Sequence, residues 1–312
     1  MNFSGLNSIN KFLKFLFWSF IIWLFLRIFI FQIAQIPSNS MEYTLMAGDR
    51  IVVNKLAYGS RIPFTPFSIS NSLFLDWLQL PYLRLPGYSN VKRNDIIVFN
   101  FPLETELPVD KRKEYIKRCI GIPGDTLHII DGTIYINKQA VEEKKFISLC
   151  YTIDSEEQFI PKYVADSIFK RKNSIKKKTV EPSYYNPSVF PNNSAIKWNL
   201  DNFGPLYIPK KGNTILLTDT TVLLYKRIIE EYEHNTLKII HDSIYINNRH
   251  SLSYTFKMNY YFVIGDNRYH SNDSRFWGVV PEDHLIGNVS FLLYSTAQKT
   301  PFRKRYIFSF IN

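Results

Sequence analysis

The chain has 312 residues, 46% of them hydrophobic, with 12 glycines and 16 prolines; that is enough for one large or two ordinary domains and excludes a low-complexity protein. Its formal charge of +11 admits an anionic lipid surface or a nucleic acid as partner, but six basic residues crowd into "FKRKNSIKKK" (169–178), which reads as a solvated loop with no nucleic-acid motif beside it. The two cysteines, Cys119 and Cys150, have neither metal-ligand nor redox spacing, and two free, buried thiols are expected.

The stretch "KFLKFLFWSFIIWLFLRIFIFQIAQIP" opens the chain. From Phe15 to Ile33 only Ser19, Arg27 and Gln32 interrupt its apolar character. As a helix these residues span about 28 Å, close to the hydrocarbon thickness of a bilayer. Lys11 and Lys14 precede the run and no acidic residue occurs before Glu42, so the N-terminal side is expected in the cytoplasm. Arg27 lies toward the far end, where a long side chain reaches the interface. A cleavable secretory signal has a shorter apolar region and small residues at its cut site. "AQIPS" is a poor site of that kind, so an uncleaved anchor is expected. The tail "YIFSFIN" is too short for a second crossing.

Beyond Pro37 the predicted elements are mostly short strands. "DRIVVNKLAYG" (49–59) and "KRNDIIVFNFP" (92–102) are β-branched runs ended by turn residues. "EYIKRCIGIPGD" (114–125) is a strand closed by a Pro-Gly turn, and "LHIIDGTIYIN" (127–137) a hairpin with Asp131-Gly132 at its tip. "TTVLLYKRIIEEYE" (220–233) is the best helical candidate, with Leu223, Ile228 and Ile229 available for one face. "YYFVIGDNR" (260–268) is a strand running into a polar turn. "LHIIDGTIYINKQ" (127–139) and "LKIIHDSIYINNR" (237–249) align without gaps. That echo fits either converging hairpins or a partial duplication whose second copy is scaffold. Residues 140–206 read as an irregular, basic lobe. Residues 60–90, rich in proline and aromatics, fit either a membrane-facing segment or a packed surface extension.

Three segments carry chemistry. In "PSNSM" an extended backbone would point Ser38 and Ser40 to the same side. A serine hydroxyl needs a base to attack a carbonyl. The six histidines (128, 234, 241, 250, 270 and 284) are scattered and form no triad motif; His270, in a polar turn, reads as solvated. The strand "YIKRCIG" offers a lysine instead. Tyr115, Lys117 and Cys119 share one face, and Ile116, Arg118 and Ile120 the other. Burial disfavours a charged lysine; to serve as a base near neutrality its pKa must fall by about 2 units from about 10.4, at a cost of roughly 3 kcal/mol. In "GDNRYHSNDSRFWGVVPEDHLIG" (265–287), Ser271 is placed to hold a lysine amine, and Asp273 and Arg275 to pair. Taken singly, each segment has an ordinary structural reading.

Taken in order, "F-x-x-x-x-IPS-x-SM-x-x-TL-x-x-GD", "YIKR-x-IG-x-PGD" and "GDNR-x-x-S-x-DSR-x-WG-x-VP" resemble the type I signal peptidases, a Ser/Lys peptidase family (S26). The insertion at 140–257, the "YGSRIPFTP" stretch and the duplicated hairpin look like the longer, single-pass forms of Bacteroidota-type bacteria. The resemblance covers the anchor and about 35–60, 91–137 and 258–295. It implies that Ser40 is the nucleophile and Lys117 the general base, followed in the motif by Arg118. It also implies that Ser38 completes the oxyanion hole, Ser271 orients the lysine, and Asp273 and Arg275 form a supporting ion pair. Ile36, Met41, Leu45, Tyr115 and Ile116 match positions near shallow pockets for small side chains. The sequence departs from the family at Asn39 (usually Gly), Tyr43 (usually Pro) and Asn94 (usually Gly). Asn39 can visit unusual backbone conformations; Tyr43 gives up a rigid turn.

The implied fold is mainly β: an N-terminal transmembrane helix, then a β-rich signal-peptidase catalytic core with an inserted second β-containing lobe. The expected boundaries are a cytoplasmic stub (1–14), the anchor (15–34), the first part of the core (35–139), the inserted lobe with its duplicated hairpin (140–257), and the second part of the core with the tail (258–312). The implied activity removes signal peptides from exported preproteins after small-x-small sites through an acyl-enzyme, with no metal or cofactor. The expected partners are preprotein signal peptides and the lipid bilayer, not nucleic acid. The chain is expected to be a monomer in the bacterial inner membrane, with its catalytic part on the periplasmic side. Two alternatives stand beside this: an inactive relative that binds secretory clients, opposed by Ser40, Lys117 and Ser271, and a self-cleaving repressor-type Ser/Lys peptidase, opposed by the N-terminal span.

Overall fold

The computed structural model describes residues 3–65, 80–144, 147–153, 156–169, 175–241, 243–295 and 307–311. The apolar N-terminal run is one helix, α1 (Phe3–Phe25), prolonged by a wider π-type turn over Leu26–Ile30. Its segment Asn10–Ile30 has a mean hydropathy of 2.0 and is 0% buried inside the molecule, so it is long and apolar enough to cross a membrane. The helix does not reach residue 34. Phe31–Gln35 is a strand, β1, paired with β2 (Arg50–Asn54) from Phe31↔Asn54 to Gln35↔Arg50. A continued helix would forfeit that ladder.

A helix end leaves four carbonyls without intrahelical partners. Here the following domain satisfies them. Lys55 Nζ donates to the carbonyls of Arg27 (2.9 Å) and Ile28 (3.4 Å), Ser60 Oγ to that of Phe29, and the Lys55 N–H to that of Ile30 (3.0 Å). The apolar helix is thereby fastened to the sheet.

The main sheet is antiparallel. Its order is β1, β2, Leu285–Tyr294, β3 (Ile96–Asn100), β4 (Glu114–Gly121), Tyr260–Ile264 and Val280–Pro281, with Ile307–Phe310 also paired to Leu285–Tyr294. Alternation sends side chains to opposite faces. Ile96 and Val98 join Ile36, Met41, Leu45, Ile51 and Val53 on one face, and Ile97 and Phe99 join Cys119, Val263 and Trp277 on the other.

The segment expected as an inserted lobe (140–257) packs in part on the main sheet. Phe203–Tyr207 pairs with Thr126–Ile130, and Phe203, Leu206, Ile208 and Ile229 share one core with Ile120, Phe262 and Ile264. These apolar faces of the insertion are completed by the main sheet and the strands after it, while Ile153, Ala165 and Ile175 form a small core of their own. The part read as irregular holds a three-stranded sheet (Ile175–Lys177, Ser148–Ile153, Glu156–Pro161) and a helix, Lys162–Phe169. The first of its strands in the chain leaves directly from the polar turn: Ser148 N–H donates to Asp266 O (2.9 Å) and Arg268 N–H to Ser148 O (3.2 Å).

The gapless echo is the same local unit twice. Thr126–Ile130 with Thr133–Ile136, and Leu237–Ile240 with Ser243–Ile246, are matching hairpins. Asn137 Nδ2 donates to Asp125 (3.0 Å) and Asn247 Nδ2 to Asn235 (2.9 Å), and each asparagine Oδ1 accepts the N–H of Thr126 or Thr236 at 2.9 Å. Ahead of the second copy stands the expected helix, Asp219–Arg227 continuing through Ile228–Tyr232 and capped by Thr218 and Thr221, where the first copy has the strand carrying Lys117. The neck of the 60–90 segment is a short ladder, Ile62 N–H to Leu83 O (2.9 Å) and Leu80 N–H to Phe64 O (2.8 Å); its tip, 66–79, on which the membrane-facing reading rests, lies outside the described residues.

Candidate active site

Two turns and one strand converge at the end of the main sheet. After β1 the chain closes a loop, Ile36 N–H donating to Asp49 O (2.8 Å) and Gly48 N–H to Ile36 O (2.9 Å). Ser38 is extended, but Asn39–Met41 is a 3₁₀ turn. The turn, not a continuous strand, brings Ser38 and Ser40 together, with their Oγ atoms 3.3 Å apart. Buried Met41 anchors the turn in the core that holds Ile36, Ile51 and Val98.

Lys117 comes from β4, opposite Ile97 of β3, and is only 3% exposed. Its Nζ donates to Ser40 Oγ at 2.7 Å and to Ile116 O at 3.0 Å, and sits 5.4 Å from the centre of the Tyr115 ring. Burial lowers its pKa to about 8, against the opposing pull of Asp273 and Asp266. The expected division of faces holds: Tyr115 and Cys119 belong to one core, Ile116 to the other. Arg118 makes a bidentate pair with Asp266 (2.8 and 2.6 Å) and donates to Asn94 O (2.8 Å).

The polar turn begins where Tyr260–Ile264 parts from β4. At Gly265 a Cβ would lie 2.1 Å from Ser271 Oγ and 2.5 Å from Ser40 O, so only glycine lets the two turns meet. We expect Gly265→Ala to push Ser40 away from Lys117 and slow reaction of the Ser40 hydroxyl with an acylating probe about 10²-fold with the circular dichroism spectrum retained. An unchanged rate would mean that the turn yields without moving Ser40.

The next two residues bind the serine turn in place. Asn267 donates its N–H to Ser40 O (3.1 Å) and its Nδ2 to Asn39 O (3.2 Å) and Glu42 Oε2 (3.0 Å), while Thr44 Oγ1 donates to Asp266 Oδ2 (2.5 Å). Sequence reasoning did not single out Asp266 or Asn267. Their only signal was membership of "GDNR", which by itself describes any polar turn.

Asp273 and Arg275 form the expected buried pair, with both contacts at 2.9 Å. Burial opposes ionisation of Asp273, but the Arg275 guanidinium and the Gly265 N–H (3.1 Å) outweigh it and hold its pKa below the usual carboxylate value. Ser271 is buried against Asp273 and Gly265, and it does not hydrogen-bond Lys117 as expected. The lysine bonds Ser40 and the Ile116 carbonyl instead.

A cavity of about 530 Å³ opens over Ser40, lined by Ile36, Pro37, Ser38, Met41, Tyr115, Ile116 and Lys117. Leu45, expected near it, does not line it; this side chain is 0% exposed and packs in the core with Met41. Lys113, Glu114 and Asn272 also line it and were not considered. His270, read as solvated, is exposed and forms part of the wall, with its ring 4.8 Å from Phe159. The contact to Phe159 comes from a strand far away in sequence, and no local pattern announces it. On β4, pairing with Tyr260–Ile264 covers Arg118–Gly121 only, which leaves Glu114–Lys117 as a free edge on that side among the described residues.

The family departures are accommodated in different ways. Asn94 has φ 73° and Tyr43 φ 71°. Asparagine tolerates this region well, whereas proline cannot enter it, so the turn at Tyr43 is of a different kind and not merely a looser one. Asn39 lies in the 3₁₀ turn and needs no unusual conformation. Cys119 and Cys150 are free and buried.

A family model described as "Signal peptidase, peptidase S26" matches residues 9–189 and 212–294. The chain belongs to the signal peptidase family. It is 30% identical over 275 residues to signal peptidase I of Buchnera aphidicola subsp. Acyrthosiphon pisum, covering 84% of this chain and 68% of the relative. To signal peptidase I of Rickettsia bellii it is 27% identical (88% of this chain, 70% of the relative), and to that of Helicobacter pylori J99, 26% (89% and 80%). A solved signal peptidase I from Enterococcus faecalis V583 is 20% identical and covers 65% of this chain and 98% of that one, at a TM-score of 0.29, too low to carry an argument. As a signal peptidase the protein is a serine peptidase that acts on signal peptides, and its apolar helix fits association with a membrane.

Proposed function

We propose that this signal peptidase is a single-pass membrane protein that cuts preproteins after small-x-small sites with a Ser40/Lys117 dyad. The observation that carries this is the 2.7 Å contact between Ser40 Oγ and a buried lysine Nζ whose pKa is lowered to about 8. An extended peptide adds to the free edge of β4, with small side chains toward Ile36, Met41, Tyr115 and Ile116. Neutral Lys117 accepts the Ser40 proton, and Ser40 attacks the scissile carbonyl. The Ser38 hydroxyl and the Ser40 N–H stabilise the oxyanion. The protonated lysine then gives its proton to the leaving amine and, neutral again, activates the water that hydrolyses the acyl-enzyme. Asp266, Asn267, Ser271 and the Asp273–Arg275 pair hold the two turns in register. One copy supplies both halves of the dyad and all these walls, which favours a monomer. Lys11 and Lys14 favour a cytoplasmic N-terminus, with the catalytic part on the opposite side of the inner membrane.

Cleavage of a purified preprotein with an Ala-x-Ala site tests this reading. Ser40→Ala is expected to lose about 10⁴-fold or more in kcat; Ser38→Ala, which removes one oxyanion donor, about 10²- to 10³-fold in kcat with little change in KM. Retained cleavage by Ser40→Ala would overturn the dyad.

A further inference from the structure

A second cavity, of about 560 Å³, lies where the apolar helix meets the sheet. Four cations line it, Arg27, Lys55, Arg61 and Lys111, against two carboxylates, Asp110 and Glu114. Glu114 is engaged through both oxygens and Asp110 through Oδ2, while Asp110 Oδ1 is buried without a partner among the described residues. Gln32 Nε2 donates to both oxygens of Glu114 at 2.9 Å, and the Thr65 N–H and Oγ1 donate to Asp110 Oδ2 at 2.9 and 3.0 Å. The cations keep donors to spare. Lys55 Nζ uses two of its three protons on helix carbonyls, and Arg61 gives one bond each to Asp283 O and Asn100 Oδ1, both 2.7 Å. Arg27 rests its guanidinium 5.3 Å from the centre of the Trp23 ring.

The cations also crowd one another. The Lys55 pKa is lowered to about 8, first by burial and then by Arg61 and Arg27, against the opposing pull of Glu114. An anion entering the cavity would relieve that repulsion. The depth of the cavity says which anion. Leu24, Arg27 and Ile28 on its wall belong to the last turns of the apolar helix. When that helix spans a bilayer, the cavity stands at headgroup level.

We propose that this junction cavity binds the phosphate of an anionic lipid headgroup, with Arg27, Lys55, Arg61 and Lys111 as its donors. The site rests on the proposed membrane anchoring and not on the Ser40/Lys117 chemistry. Anionic lipid held there would set the height of the catalytic cavity above the membrane, because Lys55 also caps the helix that leads to Ser40.

The test uses the full chain in nanodiscs of phosphatidylcholine carrying a small fraction of photoactivatable phosphatidylglycerol. Labelling is expected within 24–32 and 55–65. It should fall about fivefold for each cation removed in Arg27→Gln and Lys111→Gln, while cleavage in pure phosphatidylcholine discs is unchanged. Labelling that is equal in parent and double variant overturns the site. So does loss of labelling on adding inorganic phosphate, which would show a free-phosphate site. Failure of the chain to co-elute with the discs overturns the anchor and the site together; co-elution with undirected labelling overturns the site alone.

Discussion

Lys117→Met is expected to lose cleavage about 10⁴-fold or more and yet to be more stable than the parent at pH 7. The folded-state pKa of Lys117 is about 8, below its ordinary 10.5. Below pH 8 the lysine is charged in both states, and burial penalises the folded one by the full difference, on the order of 3 kcal/mol. Between pH 8 and 10.5 the unfolded chain binds more protons than the folded one, so stability rises with pH across that window. Above it the penalty is gone. Methionine fills a similar volume without charge, so its advantage should be about 2–3 kcal/mol at pH 7 and vanish above pH 10.5. Urea unfolding at both pH values measures this. The kcat/KM of the parent should rise with pH through a midpoint near 8, as the neutral base forms. A midpoint near 10.5 would mean that Lys117 is solvated and unprepared for the reaction.

For Asp266→Ala we expect a stability loss of about 3–5 kcal/mol. Arg118 and Asp266 are 3% and 1% exposed at their side chains. Removing the carboxylate strands a guanidinium in the core and frees Thr44, which the same carboxylate holds. The double replacement Arg118→Leu with Asp266→Leu should cost less than the single one, because no charge is left unpaired. Urea midpoints of the three variants decide it. A single variant within about 0.5 kcal/mol of the parent, the range of an ordinary surface change, would show that the pair does not fasten the site.

Much of the architecture was legible in the sequence because it is written locally. The apolar run, the β-branched strands, the Asp-Gly hairpin and the helix after Thr218 each follow from the period of their own residues. So did the two faces of β4, since alternation is a property of the strand alone. The family motifs added the pairing of Ser40 with Lys117, which no local pattern contains.

What failed did so where partners are distant. The anchor was expected to run to residue 34 because the apolar run reaches Ile33 with only Gln32 between; pairing with β2 turned Phe31–Gln35 into a strand. The 140–257 segment was expected as an inserted lobe; Phe203, Leu206 and Ile229 share a core with Ile120 and Phe262, while Ile153, Ala165 and Ile175 form a small core of their own. Ser271 was expected on the lysine, whose bonds run to Ser40 and the Ile116 carbonyl.

The sequence by itself determined the chemical inventory: an apolar helix, a serine turn, a lysine on a strand face between Tyr115 and Cys119, and a polar turn rich in Asp, Asn and Arg. Only the tertiary structure decided what that inventory does. Lys117 and Ser40 are 77 positions apart in the chain and 2.7 Å apart in space, and the lysine pKa is lowered because sheet and turns bury it. Desolvation and contact belong to the packed molecule, so neither can be read from the neighbours of a residue in the chain.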